Sequence, residues 1–90
     1  MALESQLRWL QQIDELLAEL TSQLTADELA EVRGFIEHNE APIGLSTLTW
    51  IIETKSKPVP TELRRRIVEL IDGSSERDHL PESFREYLSP

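Results

Sequence analysis

Ninety residues, a net charge of −8 and no cysteine describe a single small acidic domain spanning residues 1–90. The lack of cysteine excludes a disulfide framework, a thiolate metal site and a thiol nucleophile, and fits a reducing cytosol. Acidity argues against nucleic acid as the partner, because neutralising phosphates takes clustered Lys and Arg.

The chain starts Met1-Ala2-Leu3-Glu4, without the basic region and continuous apolar core of a signal peptide. No stretch approaches the ~20 apolar residues of a membrane span. The expectation is a cytoplasmic protein with no membrane contact. In the first segment Leu3, Leu7, Leu10, Leu17 and Leu24 share one stripe, and Trp9, Ile13, Leu16 and Leu20 widen it to about half the circumference of a helix. The spacing predicts a helix from about Leu3 to Gln23, with a face too wide for one neighbour to cover.

Thr25-Ala26-Asp27-Glu28 has the pattern of a capping box and predicts a second helix with Leu29, Val32, Phe35 and Ile36 inward. It should end near His38-Asn39, because Pro42 disfavours helical geometry at Ala41. The third helix, about Ile43 to Thr54, places Leu45, Leu48 and Ile52 on one face with Ile51 beside them, and Trp50 nearly opposite. Lys55 to Pro60 forms a linker stiffened by two prolines. A fourth helix follows, about Thr61 to Asp72, with Leu63, Ile67, Leu70 and Ile71 inward and Gly73 expected as its left-handed terminator. Beyond the polar run Ser74 to Asp78, a short last helix would dock Leu80, Phe84 and Leu88. No segment alternates with a period of two. The predicted fold is an all-α, compact antiparallel bundle of four helices plus a short C-terminal helix.

Charge is unevenly spread along these elements. Residues up to Gly44 hold nine acids against Arg8 and Arg33, leaving the second half near balance. A potential this lopsided selects cationic partners and speeds their encounter. Catalysis is not expected: no nucleophile, base and orienter stand at a recognisable spacing, and there is no glycine-rich phosphate loop. No cofactor or metal is expected either, because His38, Glu37 and Glu40 lack a second His or Cys at ligand spacing. Arg64-Arg65-Arg66 is the one basic run, yet consecutive helical residues diverge by about 100°. Glu62 and Glu69 lie four residues from Arg66 and Arg65, predicting a solvated, ion-paired face. Trp50 has two readings, coverage by the segment around Phe84 or an exposed anchor for a partner.

The run His38-Asn39-Glu40-Ala41-Pro42-Ile43-Gly44-Leu45-Ser46-Thr47-Leu48 resembles the middle of a group of small helical immunity proteins from bacterial polymorphic toxin systems. The group includes the contact-dependent growth inhibition type and its Maf-type relatives. There a helix ends in a Gly-Glu or similar pair, and an Ala-Leu-Glu-x-Leu helix start follows a short turn. Glu40, Leu45 and Leu48 match, as do Val59-Pro60 with Leu63, Ile67 and Leu70 for the next helix. The similarity covers about Ile36 to Ile71 and departs at Asn39, Gly44 and Ser46.

The resemblance implies a non-enzymatic immunity protein that binds a cognate toxin C-terminal domain, commonly a basic nuclease, and neutralises it in the producer's cytoplasm. Combined with the charge pattern, it nominates Glu37 and Glu40 at the helix exit, then Asp27, Glu28 and Glu31, with Trp50 as an apolar anchor. The competing expectation is an interaction module that forms a homodimer through the wide apolar face of the first helix, whose leucines recur at heptad-like spacing. A small transcriptional regulator is a third option; only the fourth segment has the basic residues it needs.

Overall fold

The computed structural model describes residues 2–89. Five α-helices, α1 (Ala2–Glu19), α2 (Ala26–Glu37), α3 (Ala41–Thr54), α4 (Thr61–Ile71) and the single-turn α5 (Glu82–Arg85), are joined by short connections, with a 3₁₀ turn at Ser75–His79. No strand occurs among the described residues. The thinnest dimension is 20 Å, close to two helix diameters, so the helices stack in two layers. The architecture is all-α, as the periodicities predict.

The most apolar helix, α3, lies at the centre and packs against α2, α4 and the 3₁₀ turn. It has no charged residue between Ala41 and Ile52. Leu45, Leu48 and Ile52 are fully buried, together with Leu16 and Leu17 of α1, Leu20 just beyond it, Val32 of α2, Ile67, Val68 and Ile71 of α4, and Phe84 of α5. Thr49, the most deeply buried polar residue of α3, donates its hydroxyl to the Ser46 carbonyl at 2.6 Å, and among the described residues no buried side-chain nitrogen or oxygen lacks a partner.

Helix ends differ from expectation where tertiary demands outweigh local pattern. α1 stops at Glu19, four residues early, because the chain must turn to sink Leu24 into the core and to bring Thr25 into the extended geometry of an N-cap. α3 starts two residues early, at Ala41. Pro42 occupies its first turn, where an amide hydrogen has no acceptor within the helix and the ring costs nothing. α4 ends at Ile71, and Gly73 is not left-handed. The left-handed terminators are Asn39 (φ 61°) and Ser56 (φ 49°). Each closes a Schellman motif: the Glu40 amide donates to the Phe35 carbonyl at 2.7 Å after α2, and the Lys57 amide to the Ile52 carbonyl at 3.0 Å after α3.

The Arg64 to Arg66 run does diverge, but its partners are not Glu62 and Glu69. Arg64 donates to the Val59 carbonyl at 2.8 Å and lies 5.2 Å from the Phe84 ring centre, which ties the linker and α5 to α4. Arg65 stands over Tyr87, and Arg66 pairs with Glu19 of α1 at 2.5 Å. Acceptors already fixed by packing are met at less entropic cost than two flexible side chains on one solvated face. The result is a basic run spent on internal contacts.

Candidate partner-binding surface

The turn between α2 and α3 is short because two devices coincide there. Asn39 takes the left-handed conformation that ends α2, and Pro42 opens α3 three residues later. His38 reinforces the end of α2: its Nδ1 lies 2.7 Å from the Gly34 carbonyl, and since a carbonyl only accepts, that nitrogen carries the proton. Glu40, at the N-cap position of α3, makes no side-chain cap and extends to solvent.

Beside this turn lies a shallow depression of about 330 Å³ lined by Glu31, Gly34, Phe35, His38 and Glu40. Residues 31, 34, 35 and 38 follow one another at helical spacing on the outer side of α2. Asp27 continues that row one turn earlier, while Glu37 stands about 120° round the helix from Glu31, on the other flank of Gly34. Gly34 leaves the floor open, for a Cβ built there would touch nothing within 4 Å. The floor is therefore apolar and unobstructed, and carboxylates rise from its rim. None of Asp27, Glu31, Glu37 and Glu40 forms an ion pair among the described residues.

Glu28 requires a correction. It was expected on the exposed acidic face, but it is only 5% exposed and fully engaged inside the protein. Its Oε1 accepts from the Thr25 amide at 2.8 Å and from Lys57 Nζ at 2.9 Å, and its Oε2 accepts from Lys55 Nζ at 2.7 Å. The Lys55 hydrogen bond, then the Thr25 amide and Lys57, hold its carboxyl far below the usual carboxylate range, at about 2, against the opposing effect of burial. The capping box was legible in the four residues that form it. The lysines were not, being 27 and 29 positions away.

Trp50 divides between its two readings. Its indole nitrogen donates to the His79 carbonyl at 2.8 Å, so a neighbouring segment does cover one edge, though that segment is the 3₁₀ turn rather than the region of Phe84. The ring stays 45% exposed. Ile43, two helical turns earlier on the same outer stripe of α3, is 40% exposed. The stripe presents two apolar side chains, one of them fixed in orientation by its hydrogen bond.

A second groove of about 290 Å³ lies between α1 and α4, lined by Trp9, Gln12, Glu15, Arg66, Glu69 and Leu70. Trp9 donates to the Leu70 carbonyl at 3.0 Å across its base. Of the charges on its walls, Arg66 is already paired with Glu19, and Glu15 and Glu69 form no ion pair among the described residues. Among the described residues, no group of three or more His, Cys, Asp or Glu side chains is placed to hold a metal ion, and no helix is long and apolar enough to cross a membrane. No protein-family model, curated protein or solved structure matches this chain.

Proposed function

We propose that this protein is an immunity protein that binds the cationic surface of a cognate bacterial toxin domain, a nuclease whose cleft must hold phosphates, and neutralises it without catalysis. The observation that carries this reading is the acid-rimmed apolar depression at the end of α2. Its floor of Gly34 and Phe35 suits the aliphatic stem of a Lys or Arg side chain, and Glu31 and Glu40 stand where the charged head emerges. The unpaired carboxylates of Asp27 and Glu37 extend the same potential along α2. Like charges this close disfavour the isolated fold slightly and favour a complex with a basic surface. The resemblance of His38 to Leu48 to immunity proteins falls on the same turn. Ile43 and Trp50, half open on α3, supply the apolar contact area that charge alone does not.

Co-expression with the cognate toxin domain, sought in the reading frames that adjoin this gene, tests the proposal. Cells survive with the wild-type protein and die with a Glu31→Lys, Glu40→Lys double variant whose circular dichroism matches wild type. Equal killing with and without the wild-type protein would overturn it.

A further inference from the structure

The first two turns of α1 extend beyond the bundle that covers its second half. Ile13, Leu16 and Leu17 are buried, Leu10 is half-buried, and Leu7 and Leu3 are 58% and 67% exposed. Leu3, Leu7 and Leu10 form one stripe, so the apolar face stays continuous while its cover runs out. Scattered exposed leucines mean little, but these two continue the same stripe that is buried further along the helix.

The charges beside the stripe select the occupant. Between Leu3 and Ile13 the only charged side chains are Glu4 and Arg8, and neither is ion-paired among the described residues. Elsewhere a molecule with a net charge of −8 repels its own copy. Here the surface is neutral, and it is self-complementary in one arrangement only. Glu4 and Arg8 lie on the same flank of the leucine stripe, four residues apart. A two-fold axis perpendicular to the helix and level with Gln6 keeps that flank on the same side and reverses its order, so Glu4 of one copy faces Arg8 of the other. A parallel pair places the two flanks on opposite sides and matches neither charge. The antiparallel overlap runs from Ala2 to Leu10, about 13 Å, and ends where each bundle begins.

We infer that two copies of this chain pair antiparallel through the first two turns of α1, with Leu3 and Leu7 interdigitating and Glu4 of each copy meeting Arg8 of the other. Such an interface is isologous and closed, as a two-fold dimer requires. It offers far less than the ~800 Å² per partner of a stable complex, so it forms weakly, at roughly 10 µM to 1 mM. The inference is independent of the toxin-binding proposal, because the α2 surface stays free in the dimer.

Sedimentation velocity on the full chain across that concentration range tests it. The wild-type mass rises from one copy toward two. Leu7→Glu remains monomeric with an unchanged circular dichroism spectrum. Glu4→Arg and Arg8→Glu each weaken association about 3- to 10-fold, since each swap turns two symmetric attractions into repulsions, and the double swap restores it. A wild-type protein that stays monomeric at 1 mM overturns the inference. So does a dimer that survives Leu7→Glu, or single swaps whose effects the double swap does not reverse, for then another surface or another orientation makes the contact.

Discussion

Glu28 is the residue on which α2 and the end of α3 both depend. One carboxylate caps the helix that contains it and gathers two lysines from the linker, fastening elements that share no local sequence. Its folded carboxyl titrates at about 2 and its unfolded one near 4.5, so the folded state binds fewer protons between those values. Its contribution is therefore complete above pH 4.5 and disappears as pH falls toward 2. Glu28→Gln should unfold at lower denaturant concentration than wild type at pH 7, and the gap should narrow as pH falls from 4.5 to 2; urea titrations at a series of pH values measure it. Asp72 behaves in the same direction, its carboxyl lowered chiefly by the Ser89 hydroxyl and amide, so the clasp on the chain's last described residue also loosens in acid.

At the scale of elements, the two helical glycines of α2 and α3 have opposite meanings. A Cβ at Gly44 would lie 3.0 Å from the Val32 carbonyl oxygen and 3.1 Å from Phe35 Cβ, so a side chain there requires the packed backbones of α2 and α3 to give by a few tenths of an ångström. Overpacking costs about 1–3 kcal/mol and the helix preference for Ala returns only about 1, so Gly44→Ala should destabilise the protein. Gly34→Ala meets no neighbour and should stabilise it by about 1 kcal/mol, while narrowing the depression and weakening partner binding. Thermal melts of both variants, with a binding titration for the second, check the pair.

Ser56 offers a further test on the same scale. A left-handed L-residue costs about 1–2 kcal/mol, and glycine gives back part of that in chain entropy, so Ser56→Gly should gain about 0.5–1 kcal/mol in urea unfolding. Each helix could be located from its periodicity, and the cap of α2 from its motif. The end of α2 near His38-Asn39 could be located too, from Pro42 beyond it, but the left-handed terminator of α3 could not. Gly73 has the residue type for a left-handed position, but the positions that reverse the chain belong to Asn39 and Ser56, where docking α3 and α4 onto their neighbours fixes the turn.

Across the whole molecule, folding sorts the acids of the first half into two sets. Asp14 pairs with Arg33, Glu19 with Arg66, and Glu28 with Lys55 and Lys57. The two exposed pairs, Asp14 with Arg33 and Glu19 with Arg66, add little stability. Their larger effect is on the field: with those charges matched, four of the six carboxylates of the first half that form no ion pair among the described residues, Asp27, Glu31, Glu37 and Glu40, lie on α2 and its exit, and Glu4 and Glu15 lie on α1. Long-range attraction of this type is screened beyond about 10 Å at 0.1 M salt. Association of a cationic partner should slow by about tenfold or more when salt rises from about 50 to about 500 mM, with little change in the dissociation rate, as stopped-flow measurements would report. A partner held mainly by Ile43 and Trp50 would show no such slowing.

Sequence alone determined the helices, the apolar stripes, the Thr25 to Glu28 cap and the acidic bias, because each depends on residues within about one turn of one another. Tertiary structure decided which acids stay free, where the cover over α1 ends, why position 44 is glycine and which edge of Trp50 is bonded. Those outcomes depend on what packs against a residue from far along the chain. Glu28 has the same local pattern whether its carboxylate faces water or two lysines, and only the folded arrangement of α2, α3 and the linker places the lysines there.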